Sequence, residues 1–123
     1  MEALSLTIKY IFSETFFHGA QMTLLLTIVS VIFGIVVGLI IAIMQEARNK
    51  VLDYFVVAYL WFFRGTPVLF QIIFIYNVLP GFGINLSSFA SGVVALSLNE
   101  GAYIAEIMRA GLQSVGKGQR TAA

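Results

Sequence analysis

The chain has 123 residues, of which 59% are hydrophobic and 11% charged, with a formal net charge of +1 and a mean hydropathy of +0.94. Soluble domains carry roughly 25% charged residues, so this composition belongs to a membrane protein with room for three spanning helices and no soluble domain of useful size. Cys is absent, which excludes a disulfide framework and a thiolate metal site; one His and scattered carboxylates give no metal-ligand spacing, and there is no basic run to bind nucleic acid.

Residues 1–21 read as a lead-in. Leu4, Ile8, Ile11 and Phe12 fall on one helical stripe, with Lys9, Ser13 and Glu14 elsewhere, which predicts a short helix lying at the membrane surface and ending near His18. A cleavable signal peptide is not expected: Glu2 and Glu14 sit in the first twenty residues, and the apolar run that follows is too long for a signal core. The first span is predicted over Met22–Met44, an uncharged run that reaches across roughly 30 Å of hydrocarbon at about 1.5 Å per residue. Within it Ser30, Gly34, Gly38 and Ala42 recur every four residues and form a flat, small-residue stripe. Such a stripe lets backbones approach closely where lipid supplies no hydrophobic drive. It serves either packing within the chain, the favoured reading, or a dimer seam.

Gln45–Asp53 is a polar loop with Arg48 and Lys50, and the apolar block after it, Tyr54–Leu79, is broken by Arg64-Gly65-Thr66-Pro67. Thr66 is placed to cap and Pro67 suits a first helical position, which predicts two helical pieces, Tyr54–Phe63 and Pro67–Leu79, with a kink between them. Either both pieces make one bent span, or the first lies partly in the interface with Arg64 snorkelling to water. Tyr59 and Trp61 suit an interface. After the turn-rich loop Pro80–Asn85, a third span is expected from about Phe89 to Ile107. Basic residues flank the first loop (Arg48, Lys50) and follow the third span (Arg109, Lys117, Arg120), while residues 80–88 have none. The positive-inside rule then puts the first loop and the C-terminus in the cytoplasm and the N-terminus outside.

Chemistry concentrates in the third span. Asn99, Tyr103 and Glu106 share one helix face, with Glu100 beside them. Ionisable groups at membrane depth are costly, and such a face looks at a partner helix or a water-filled path, not lipid. A carboxylate, an amide and a phenol suit a polar zwitterion, the carboxylate taking its ammonium; Gln71 is a further candidate of the same kind. The alternative is a polar clamp between helices, with Glu106 paired to Arg109. There is no nucleophile–base pair and no phosphate loop, since Gly116-Lys117-Gly118-Gln119 follows no strand. The chain is therefore not expected to be an enzyme, no cofactor is implied, and any ATP hydrolysis falls to a partner.

These residues resemble a known family. Arg64-Gly65-Thr66-Pro67 with Leu69, Gln71, Tyr76, Leu79 and Pro80 is similar to one conserved block of bacterial ABC importer permeases for polar amino acids, the histidine/glutamate/glutamine/arginine/opine branch. Gly101–Ile107 with Arg109, Gly111, Gln113, Ser114 and Val115 is similar to a second. Lys117, Gly118, Gln119, Ala122 and Ala123 resemble the start of the cytoplasmic EAA coupling signature, with Thr121 where the family has Glu and Gly116 where it has Pro. Gly19, Thr23, Leu24, Ser30, Gly34, Gly38 and Ala42 fit its first span.

The resemblance implies an all-α membrane protein with three transmembrane helices of a MetI-like type I ABC importer permease over residues 22–110, followed at 111–123 by an incomplete coupling loop. It implies alternating access, a second permease subunit of the same or homologous kind, two ATP-binding subunits, a periplasmic amino-acid-binding protein and a polar amino acid as cargo, at the bacterial inner membrane among its lipids. In that frame Asn99, Glu100, Tyr103 and Gln71 line the path, and residues 117–123 begin the ATPase contact. The chain ends inside the coupling motif and reads as an N-terminal fragment or truncated product. The rival expectation is a truncated, non-transporting membrane protein that associates with a full-length permease. An ion-conducting oligomer is disfavoured, because the first span lacks a polar face.

Overall fold

The computed structural model describes residues 1–115. Five α-helices follow in order: α1 (Glu2–Ile11), α2 (Glu14–Glu46), α3 (Lys50–Gly65), α4 (Val68–Val78) and α5 (Ser88–Ser114), with a 3-10 turn, Leu79–Phe82, after α4. The starts of α2, α3 and α5 are capped by side chains the sequence supplies. Ser13 Oγ accepts from Phe16 N at the start of α2 (3.3 Å), Asn49 Oδ1 accepts from Val51 N at the start of α3 (2.9 Å), and Ser87 Oγ accepts from Ala90 N at the start of α5 (3.1 Å). Gly83 ends the 3-10 turn at φ 81°, a left-handed conformation that glycine adopts without a Cβ penalty.

Several boundaries differ from the sequence reading. α3 begins at Lys50, inside the loop expected over Gln45–Asp53, where Asn49 caps it. The surface helix stops at Ile11, and the long helix begins at Glu14 instead of Met22, so His18 lies inside α2. Ser13 makes this early start possible by capping the helix ahead of Glu14, whose charge favours a first turn. At the second break the kink sits where expected but one residue later: Thr66 closes α3, and Pro67 is the residue before α4 with an extended ψ of 140°. The arms Lys50–Gly65 and Val68–Phe82 meet at 106°.

α5 is the central element. It packs along α2 and also touches α3 and α4. The distribution of side chains is inverted relative to a water-soluble protein. Leu24, Ile28, Ile32, Phe33, Leu39 and Ile40 of α2 are exposed, while Ser30, Gln71, Ser91 and Ser97 are buried. Only 22% of the most apolar window of α2 is buried, too little for the core helix of a soluble protein. By length and composition α2 is able to cross a membrane, and the bent α3–α4 pair passes the same test as a unit. α5 is long enough but does not pass among the described residues. The reason is its polar content, Asn99, Glu100, Glu106 and Arg109, which an internal helix tolerates and a lipid-facing one does not.

Candidate functional site

The seam between α2 and α5 is built from small residues. Ser30, Gly34, Gly38 and Ala42 are all buried on α2, and Gly92, Ala95, Gly101, Ala102 and Ala105 are buried on α5. A methyl group on Gly38 would stand 2.7 Å from Ile104 Cγ2 and 3.2 Å from the Ala105 backbone N; one on Gly101 would stand 2.5 Å from Val37 Cγ1. The stripe on α2 is thus spent within the chain. Ser97 Oγ adds a buried 3.4 Å hydrogen bond to the Ser30 carbonyl.

The opposite side of α5 faces the bend between α3 and α4, and here the sequence explains the chemistry. A helical carbonyl at position 63 would accept from the N–H of residue 67, but residue 67 is proline and has none. Phe63 O is therefore left without its helical donor. Two side-chain amides supply what the backbone cannot: Asn99 Nδ2 donates to Phe63 O at 3.0 Å, and Gln71 Nε2 donates to it at 3.2 Å. Gln71 Nε2 also reaches Thr66 Oγ1 at 2.7 Å and Thr66 O at 3.2 Å, while Asn99 Nδ2 reaches Gln71 Oε1 at 3.2 Å. Gln71 is 2% exposed, and a buried amide with every polar atom partnered holds its place firmly.

Further along the same face, Arg64 extends from the bend over α5. Its guanidinium lies 5.7 Å from the Tyr103 ring centroid and 3.7 Å from Glu106. Arg109 also approaches Glu106, at 4.0 Å, so the expected Glu106–Arg109 pair exists but is the longer of two. Tyr59, expected at the membrane interface with Trp61, instead turns inward. Its hydroxyl donates to Leu98 O of α5 and sits beside Gly101, whereas Trp61 is 78% exposed. The spacing of Tyr59 from Phe63 (i, i+4), which puts both on the face that meets α5, was the signal that could have found it.

The four predicted pathway residues do not form one cluster. Asn99 and Gln71 are hydrogen-bonded to each other, and Tyr103 lies on the same face but 46% exposed beside Arg64. Glu100 is turned by one residue, about 100° of helix, and faces α2. Its Cβ and Oε2 lie 3.1 and 3.2 Å from where a Gly34 side chain would begin. Oε2 is buried and has no hydrogen-bond partner, and Glu100 enters no ion pair among the described residues. No cluster of metal-ligating residues occurs among the described residues. Lys117, Gly118, Gln119, Ala122 and Ala123 lie outside them.

This arrangement, a bent helix pair tied to a polar central helix in an otherwise apolar exterior, has a counterpart among known proteins. Residues 34–123 match the model of the family described as "Binding-protein-dependent transport system inner membrane component". The chain belongs to that family. It is 44% identical over 107 residues to the putative glutamine transport system permease protein GlnP of Rickettsia conorii, covering 86% of this chain and 49% of that protein. It is 43% identical over 101 residues to the L-cystine transport system permease protein TcyB of Bacillus subtilis, covering 82% and 43%. The arginine transport system permease protein ArtQ of Bacillus subtilis is 37% identical over 107 residues, covering 86% and 49%. A solved structure described as "Crystal structure of an amino acid ABC transporter with histidines" superposes with a TM-score of 0.83 at 44% identity, covering 98% of this chain and 55% of that one. The chain spans about half the length of the curated relatives it matches. The fold is therefore that of an all-α, MetI-like ABC importer permease, and the protein is a membrane protein of a family of transport components.

Proposed function

We propose that this chain is the membrane-embedded part of a permease subunit that moves polar amino acids inward across the bacterial inner membrane by alternating access. The similarity to permeases named for glutamine, cystine and arginine supports the cargo class. Its partners are a second permease subunit, two ATP-binding subunits that perform the hydrolysis, and a periplasmic binding protein that delivers the amino acid. α2, the bent α3–α4 pair and α5 are the three spans, with the N-terminus outside and the α2–α3 loop and the end of α5 cytoplasmic; Arg48, Lys50 and Arg109 at that end support this orientation. Lys117, Gly118, Gln119, Ala122 and Ala123 begin the ATPase contact.

The observation that carries the reading is Glu100. A carboxylate with a buried, unpartnered oxygen in the middle of a membrane helix is costly unless a cation arrives to meet it. The α-ammonium shared by all amino acids is such a cation. Asn99 and Gln71 contribute differently: their amides are engaged by the bend, so they hold the wall of the path in shape, and Tyr103 with Arg64 forms its more open end. The rival, a non-transporting chain that associates with a full-length permease through its small-residue stripe, is less well supported, because α5 covers that stripe here.

Glu100→Gln keeps the shape and removes the charge. In the assembled transporter it is expected to lower uptake at limiting substrate by about tenfold or more, since a hydrogen bond to a charged group contributes about 1.5–3 kcal/mol. Membrane insertion, read by cysteine accessibility on both faces, is expected to stay unchanged. Wild-type uptake by this variant would remove Glu100 from the path.

A further inference from the structure

At the end of the molecule where α2 and α5 finish and α3 begins, a cleft of about 430 Å³ is lined by Gln45, Glu46, Arg48, Asp53, Arg109 and Gln113. It lies away from Glu100 and the bend, and the transport reading makes no use of it. Its volume falls within the roughly 300–1,000 Å³ of ligand clefts. Its charges are of both signs. Arg48 and Asp53 enter no ion pair among the described residues, and Gln45 Oε1 is a buried acceptor with no donor.

The backbone gives a second indication. Arg48 has a φ of 52° just past the end of α2, the left-handed position at which helices favour glycine. An arginine there is strained, and Arg48 is one of the residues that line the cleft. The helix ends add their own field, the carboxyl end of α2 being negative and the amino end of α3 positive. A simple anion in the cleft would face Asp53, and a simple cation would face Arg48 and Arg109. A ligand carrying both an acidic group and an ammonium matches both halves.

We propose that this cleft binds a zwitterion, its acidic group at Arg48 and Arg109 and its ammonium at Asp53 and Gln45 Oε1. Two sources present that chemistry at this end of the molecule: a free amino acid and the headgroup of phosphatidylethanolamine.

The test has two arms, on the full permease with its ATP-binding subunits and without the binding protein. In detergent free of phosphatidylethanolamine, L-glutamine binding is measured by equilibrium dialysis. In nanodiscs containing phosphatidylethanolamine and phosphatidylglycerol, retained lipid is read by native mass spectrometry. The variants are Arg48→Gly and Asp53→Asn, each also made in a Glu100→Gln background that removes the carboxylate of the transport path. Arg48→Gly removes the charge while relieving the strained backbone, so its thermal midpoint should not fall and any lost binding is not lost folding. A free amino-acid site predicts glutamine binding that remains in the Glu100→Gln background and is weakened there about tenfold by Arg48→Gly and by Asp53→Asn. A lipid site predicts phosphatidylethanolamine retained over phosphatidylglycerol, with that preference lost in the same two variants. The proposal is overturned if neither ligand binds in the Glu100→Gln background, or if binding there survives both Arg48→Gly and Asp53→Asn unchanged. Equal retention of the two lipids without glutamine binding also overturns it.

Discussion

Replacing Gly38 with leucine is expected to separate α2 from α5 and to destabilise the fold by about 1–3 kcal/mol, the usual cost of forcing extra carbons into a packed seam. The first added carbon already meets Ile104 Cγ2 at 2.7 Å and Cβ at 2.9 Å. Neither atom is the free end of a flexible chain, so neither can swing aside, and the Ala105 backbone N at 3.2 Å blocks the remaining direction. Gly101→Leu approaches the same seam from α5, against Val37 and Tyr59, and should behave alike. Gly19→Leu is the control, because nothing lies within 4 Å of its new carbon. Thermal unfolding in detergent checks the prediction. A Gly38→Leu protein as stable as Gly19→Leu would mean that the seam is looser than described.

Asn99→Leu is expected to have the next largest effect. It removes one of the two amides that satisfy Phe63 O and leaves Gln71 Oε1 without its donor. A buried polar group that loses its partner costs about 1–3 kcal/mol. The substitution should also let the 106° bend relax, because only Gln71 would still hold the broken carbonyl. Two readouts separate these consequences. The thermal midpoint reports the lost hydrogen bonds, and spin-label distances between α3 and α5 report the bend. Asn99→Gln, which keeps an amide on a longer arm, should recover part of both. An Asn99→Leu protein with an unchanged midpoint and unchanged distances would show that the amide does not hold the bend.

The two predictions rest on features that were unequally legible in the sequence. The apolar blocks, the break at Pro67 and the small-residue stripe could all be read directly, because each depends on local spacing. The stripe's partner was a matter of choice between packing within the chain, the favoured reading, and a second chain until α5 was seen lying on Gly34 and Gly38. The start of α2 was misread because Lys9, Ser13 and Glu14, with His18 after them, look like the polar side of a surface segment. An N-cap at Ser13 outweighs them, and a helix projecting past the hydrocarbon tolerates polar residues there.

The site was legible as a set of residues but not as an arrangement. Asn99 and Glu100 are neighbours in sequence, and one residue of helix sends them to different partners, the bend and α2. That Asn99 and Gln71 answer a carbonyl orphaned by Pro67 follows from the proline rule once one asks where Phe63 O finds a donor. The inward turn of Tyr59 was hidden because tyrosine fits an interface equally well. The i, i+4 spacing with Phe63 gives the face on which Tyr59 lies, but what covers that face, the notch at Gly101, lies on another helix.

The central claim is that this chain forms part of an ATP-driven importer of polar amino acids. The most direct measurement is uptake of radiolabelled amino acids into proteoliposomes holding the full permease and its ATP-binding subunits, with and without the binding protein and with ATP enclosed. The account predicts uptake of a polar amino acid that requires both ATP and the binding protein. No uptake of any amino acid by the complete, ATP-hydrolysing assembly, or uptake indifferent to ATP, would contradict it.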